Sequence, residues 1–154
     1  MIKYVAGDAT DPQGPGEKLI VHVCNNIGAW GAGFVMALSA KWPQPEALYR
    51  DWAQGLVRTP FRLGNVTYTY VGDSIYVANM IAQRGVVNKD NPIPLDYTAL
   101  TQCLADAGSV AFAGGMSVHM PRIGCGLAGG SWDRVESIIN ETMGDLSVTV
   151  YDLE

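Results

Sequence analysis

The sequence predicts an α/β domain: one mixed six-stranded sheet with helices on both faces, a three-layer arrangement. Three observations predict it. Short β-rich runs alternate with helical ones along 154 residues, the length of one domain (1–154) with no repeat or linker. One run, "KLIVHVCNN" (18–26), is apolar through its centre, as expected of a strand covered on both faces. The composition, 48% hydrophobic and 16% charged, suits a compact globule.

The elements follow in order. "IKYVAG" (2–7) is a short β run stopped by glycine, and "DATDPQGPGE" after it is turn chemistry. The apolar strand 18–26 comes next. "GAGFVMALSAKWP" (31–43) reads as a helix stopped by Pro43, and "PEALYRDWAQG" (45–55) as a second, with proline in its first turn. "GNVTYTYV" (64–71) and "SIYVANMIAQ" (74–83) form a hairpin around "GD". "PLDYTALTQCLADAG" (94–108) is a helix with Leu100, Cys103 and Leu104 at core spacing. "MSVHMPRIG" (116–124) is a strand running into a loop. "SWDRVESIINETMG" (131–144) is a helix capped by Ser131 and ended by Gly144, and "LSVTVYDL" (146–153) is the last strand.

Composition excludes several function classes. Net charge is −5, which argues against broad nucleic-acid binding, since that needs a basic face. No apolar run approaches the roughly 20 residues of a membrane helix, and no charged-then-apolar leader opens the chain. The three cysteines are odd in number and lack a CxxC pair, so neither a disulfide framework nor a zinc site is expected. A cytoplasmic monomer without metal or cofactor is the expectation.

Two glycine-rich loops carry the functional signal. "VCNNIGAWGAGFV" (23–35) leaves a buried strand and enters a helix; "PRIGCGLAGGSW" (121–132) does the same with four glycines. Such loops can aim several N–H groups at one anion, and a helix N-terminus adds favourable potential. In a sheet of this kind the carboxyl ends of the strands are where ligands sit. Two facing loops can clamp a diphosphate. Neither is a Walker A loop, and neither fits GxGxxG with an acid about 20 residues on.

"GDAT" (7–10), "VHVCNNIGAWGAGFVMALSAKWP" (21–43) and "MPRIGCGLAGGSW" (120–132), in this order, resemble a macro domain. Within that family the pattern is most similar to the yeast ADP-ribose-1″-phosphate phosphatase type, through H-x-C-N-x-x-G-x-W-G-x-G and the tail at 144–151. "PRIGCGL" is also similar to the terminal ADP-ribose protein glycohydrolase type. The resemblance implies a cleft for ADP-ribose or a derivative, and an ADP-ribosylated protein as a further partner. It implies that Asp8 accepts from the adenine amino group and that the backbone of Ala9 and Thr10 helps seat the base. It places Gly28, Trp30, Gly31, Ala32 and Gly33 along the diphosphate and distal ribose. Asn25 and Asn26 would meet ribose hydroxyls, or else form an Asx turn. Ile123, Gly124, Cys125, Gly126, Leu127, Ala128 and Gly129 would offer N–H groups to the phosphates.

Candidates for chemistry are few. His22 matches a histidine of the phosphatase-type pattern and would be a general base; on an apolar strand it can equally be a bonded core residue. Asn25 would orient water or the ribose. Trp30 would close the cleft as a lid or tuck into its own loop. Cys125 sits where N–H groups could lower a thiol pKa. The glycohydrolase type has a lysine after the fourth strand and an aspartate after "CGL"; here the strand ends "VANMIAQRG" and Ala128 follows Leu127. That departure puts a lysine-adduct mechanism in doubt. The reading that results is a hydrolase of an ADP-ribose derivative, first of all ADP-ribose-1″-phosphate. The alternatives are a non-catalytic ADP-ribose reader and a hydrolase of ester-linked ADP-ribosyl protein.

Overall fold

The computed structural model describes residues 2–153. The chain runs β1 (Ile2–Ala6), β2 (Lys18–Asn25), α1 (Phe34–Lys41), α2 (Gln44–Ala53), β3 (Val66–Gly72), β4 (Ile75–Gln83), α3 (Tyr97–Gly114), β5 (Ser117–Met120), α4 (Trp132–Met143) and β6 (Val148–Asp152). The six strands form one sheet in the order β1-β6-β5-β2-β4-β3. Every neighbouring pair is parallel except β3 with β4, so the sheet is mixed.

Side-chain alternation divides the core in two. Strand neighbours point to opposite faces. On one face Leu19, Val21, Ala78 and Met80 pack with Leu100, Leu104, Val135 and Ile139 of α3 and α4. On the other, Ile20, Cys24, Val77 and Ile81 pack with Leu38, Tyr49 and Trp52 of α1 and α2. Both faces of β2 and β4 are therefore covered, which is why their sequences are apolar through most of their length, interrupted by the buried polar pair His22 and Asn79. Among the described residues no helix is long and apolar enough to cross a membrane.

Several local features differ from the sequence reading. Helix α1 starts at Phe34, not 31, because Gly33 has φ 83° and ψ −149°, a conformation outside any helix. The β3–β4 turn is centred on Asp73 and Ser74, both with positive φ, one residue later than "GD" suggests. Helix α3 is capped by Asp96, whose side chain accepts from the Ala99 N–H, and it runs through Gly108 to Gly114. Gly108 does not stop the helix; it is a contact, since a Cβ there would lie 2.9 Å from the Thr142 carbonyl oxygen. Ser131 occupies the N-cap position of α4, yet its side chain makes no capping bond.

Candidate functional site

At the carboxyl ends of β2 and β4, two compartments of about 380 Å³ each lie side by side. Val23, Ala32, Val35, Gln83 and Leu127 border both, so they are parts of one cleft. The first compartment continues past Asn25, Trp30, Val86 and Val87. The second continues past His22, Phe34, Pro121, Arg122 and Leu153. The first has no lysine, arginine, aspartate or glutamate on its wall.

The two glycine loops meet at the waist. A Cβ on Gly33 would lie 3.4 Å from a Leu127 methyl, so the loops are in near contact there. Among the described residues, the amides of Gly31, Ala32 and Gly33 donate to no protein group, and neither do those of Gly124, Gly126, Leu127 and Ala128. The N-terminus of α1 opens on the same place, with no acidic side chain in its first turn to occupy it. Unpaired N–H groups with a helix dipole behind them favour an anion.

The second loop holds its shape by its own backbone bonds. The Gly130 N–H donates to the Gly124 oxygen at 2.7 Å, and that of Gly129 to Gly126 at 3.1 Å. Gly124 and Gly129 have positive φ, and a side chain on Gly130 would strike the Gly124 oxygen at 2.6 Å. Ile123 and Ala128 are buried anchors of the loop. Cys125 is half-buried, and burial pushes its thiol pKa up against the smaller downward pull of Arg122. The direction fits a packing residue rather than a thiolate held by loop amides.

The first loop is organised by Asn25. Its Oδ1 accepts from the N–H groups of Ile27 and Ala29 and from the Tyr49 hydroxyl; its Nδ2 donates to the Ala29 oxygen at 2.7 Å. The Asx-turn alternative describes these bonds. The amide that was to orient water is occupied in shaping the loop. Asn26 accepts from the Gly85 N–H at 2.9 Å and ties the loop to the segment after β4. Gly28, with φ 79°, turns the chain just after them, beside Ala53.

Trp30 is not a lid. It is 7% exposed, its indole N–H donates to Ser39 Oγ at 2.8 Å, and it packs on His22 and Tyr49. It forms the floor of the first compartment instead, because its loop folds inward over α1 and α2.

His22 borders the second compartment but is 1% exposed. Its Nε2 lies 2.5 Å from Asn79 Oδ1. The Asn79 Nδ2 donates to the Pro45 oxygen, so Oδ1 is the accepting end and His22 carries its proton on Nε2. Burial lowers the His22 pKa to about 4, opposed in part by the Asn79 bond. This geometry favours the bonded-core alternative for His22. His119 is similar: it is buried between Ser117 and the Tyr151 hydroxyl, with a pKa near 4 from burial.

Asp8 sits just past β1 and is exposed. Its Oδ1 accepts from the N–H and hydroxyl of Thr10, both at 2.8 Å. It borders a separate hollow with Asp11, Gln13 and Tyr151, and not the two compartments. Ala9 and Thr10 are buried behind it. Residues the sequence reading missed include Val23, Val35, Gln83, Val86 and Val87. The apolar ones carry no chemical signal. Gln83, a polar residue ending an apolar strand, does.

No family model matches the chain. A solved macrodomain protein of Streptomyces coelicolor is 46% identical, with a TM-score of 0.87 over 99% of both chains. The ADP-ribose 1″-phosphate phosphatase of Saccharomyces cerevisiae is 23% identical over 99% of this chain and 98% of that one. The chromodomain-helicase-DNA-binding protein 1-like of Danio rerio is 35% identical over 91% of this chain, which spans 14% of that much longer protein.

Proposed function

The chain belongs to the macrodomain family, and on that premise we propose that its cleft binds ADP-ribose and hydrolyses a derivative substituted at the distal ribose, with ADP-ribose-1″-phosphate the first substrate. One observation carries the binding part. Among the described residues, seven backbone amides of two loops that border the cleft, beside a helix N-terminus, donate to no protein group. That is a diphosphate seat with room for a nucleoside on one side and a sugar on the other. Backbone donors suffice, so a chain of net charge −5 can hold the anion.

The base takes the compartment of Phe34, Pro121 and Leu153. The distal ribose takes that of Asn25, Trp30 and Val86. The hydrolytic part is supported by likeness to the yeast phosphatase along nearly its whole length. In this reading water attacks at the 1″ substituent, its position set by the loop that Asn25 holds. His22 supports that loop through Trp30.

A second reading, the non-catalytic reader, is favoured by a specific observation: the side chains that could serve as base or nucleophile are buried, bonded or shifted away from their reactive forms. A hydrolase of ester-linked ADP-ribosyl protein, with substrate-assisted water, uses the same cleft. Calorimetry with ADP-ribose, ADP and AMP tests the shared premise; no binding at millimolar ligand removes all three. Incubation with ADP-ribose-1″-phosphate and with glutamate-linked ADP-ribosyl protein separates them. Phosphate release supports the phosphatase, ADP-ribose release from protein the ester hydrolase, and neither the reader. A cytoplasmic monomer remains part of the proposal, checked by gel filtration and cell fractionation.

A further inference from the structure

Strand β4 ends on a polar residue after a buried apolar run of Met80, Ile81 and Ala82. The β2–β4 register slips there: Cys24 pairs with Ile81, but Asn25 pairs with Gln83, leaving Ala82 unmatched. A bulge of this kind re-aims the side chain that follows it. The re-aimed Gln83 borders both compartments of the cleft. Its Nε2 donates to the Gly85 oxygen at 3.0 Å, which fixes the amide's orientation. Its Oε1 accepts from no protein group among the described residues.

Gln83 is half-buried, so this free acceptor beside Val23, Val35, Val86 and Leu127 is open to a donor on a ligand in the cleft. The other amide oxygen of the first compartment, on Asn25, already accepts three bonds. Among the described residues no carboxylate borders that compartment to compete for a donor.

We propose that Gln83 selects for the distal sugar, its Oε1 accepting a hydrogen bond from a hydroxyl of the pentose attached to the second phosphate. The proposal rests on the ADP-ribose reading above. It makes the ligand class a nucleoside diphosphate carrying a polyhydroxylated substituent, and it separates such ligands from plain ADP. The contact comes from the strand beside the asparagine loop, where Gln83 is paired with Asn25 and its carbonyl accepts from the Asn26 N–H. An amide has no proton to lose near neutrality, and the selectivity is accordingly flat with pH.

The test is Gln83→Met, which keeps length and apolar packing but removes both amide groups. Calorimetry on the whole chain compares ADP-ribose with ADP, which lacks the distal pentose. The expected result is a loss of about tenfold for ADP-ribose with ADP affinity within twofold, as for one uncharged hydrogen bond. An equal loss for both ligands would assign Gln83 to loop structure through Gly85 and overturn the proposal. So would undiminished ADP-ribose affinity. If the unmodified protein binds neither ligand, the parent reading fails and takes this one with it; if it binds ADP-ribose and only the Gln83→Met comparison fails, the parent reading stands alone.

Discussion

His22 and Asn79 occupy paired positions on neighbouring parallel strands, and their side chains meet at 2.5 Å inside the core beneath α1 and α2. Both are essentially inaccessible to water. A buried polar pair of this kind stabilises only while both members are satisfied. Asn79 also holds the Pro45 oxygen at the start of α2, and His22 packs edge-on against Trp30. The pair therefore ties the sheet to both the helical layer and the glycine loop.

Replacing Asn79 by Ala strands the His22 N–H and removes a second bond to the Pro45 oxygen, which sits in the first turn of α2. The expected cost is about 1–3 kcal/mol for the unsatisfied donor, more than the same change at an exposed asparagine. Urea unfolding followed by tryptophan fluorescence checks it. A variant as stable as the parent would show that water replaces the asparagine.

The buried histidines predict an acid-sensitive fold. His22 and His119 both have pKa values near 4 in the folded chain, below the ordinary value of about 6.5. The unfolded chain therefore binds more protons between those limits, and stability rises with pH across them. Their contribution is complete above about pH 6.5 and is lost as pH falls towards 4, at ~1.4 kcal/mol per pH unit for each histidine. Glu46 and Asp152, whose pKa values are lowered by their arginine partners, are exposed and act only in a more acidic window. Unfolding free energies at pH 7, 5.5 and 4.5 give the slope. His119→Gln should remove about half of it.

The pattern of strands and helices is legible because burial on both faces of β2 and β4 leaves a nearly continuous apolar record, interrupted at His22 and Asn79. The turn at Asp73 and Ser74 was misplaced by one residue, since glycine next to it has the stronger turn signal. Helix α3 was cut short at Gly108 because a glycine that ends a helix and one that admits a neighbouring helix look the same in one sequence. The two loops were legible through their glycines. Which asparagine organises and which cross-links, and that Trp30 is a floor, depend on Tyr49, Gly85 and Ser39, residues distant along the chain. Gln83 acquires its aim from a bulge that no local pattern announces.

Cys125 should behave as an ordinary or slow thiol. Burial raises its pKa, and its Sγ lies 3.4 Å from the Ile123 oxygen, an acceptor that favours the protonated form. Alkylation by iodoacetamide at pH 7.5 should therefore run slower at Cys125 than at a free cysteine, with Cys24 and Cys103 slower still because both are buried. Mass spectrometry of partial digests ranks the three. A rate at Cys125 tenfold above free cysteine would restore it as a nucleophile.

Gly33→Ala tests the waist of the cleft. The position has φ 83° and ψ −149°, a region that costs a residue with a side chain about 1–3 kcal/mol. The new methyl would also press on Leu127 at 3.4 Å, so relief by backbone movement would turn the Gly31–Gly33 amides away from the other loop. ADP-ribose affinity should fall at least tenfold while the melting temperature drops by a few degrees. Unchanged affinity would place the diphosphate elsewhere.

Gly108→Ala sets two effects against each other. Glycine inside a helix is about 1 kcal/mol worse than alanine, so propensity alone predicts a more stable protein. Here the added Cβ would lie 2.9 Å from the Thr142 oxygen and 3.4 Å from Met143, where α3 crosses α4. Thr142 is held in place because its hydroxyl donates to the Ile138 oxygen and its carbonyl belongs to the last turn of α4. Overpacking against backbone costs about 1–3 kcal/mol, which exceeds the propensity gain over most of that range. The net expectation is destabilisation by about 1 kcal/mol, with Ser109→Ala, one residue further and exposed, within 0.5 kcal/mol of the parent. Thermal melts of both variants decide it: a stabilised Gly108→Ala would mean that α4 slides to make room, and that the helix crossing is softer than its contacts imply.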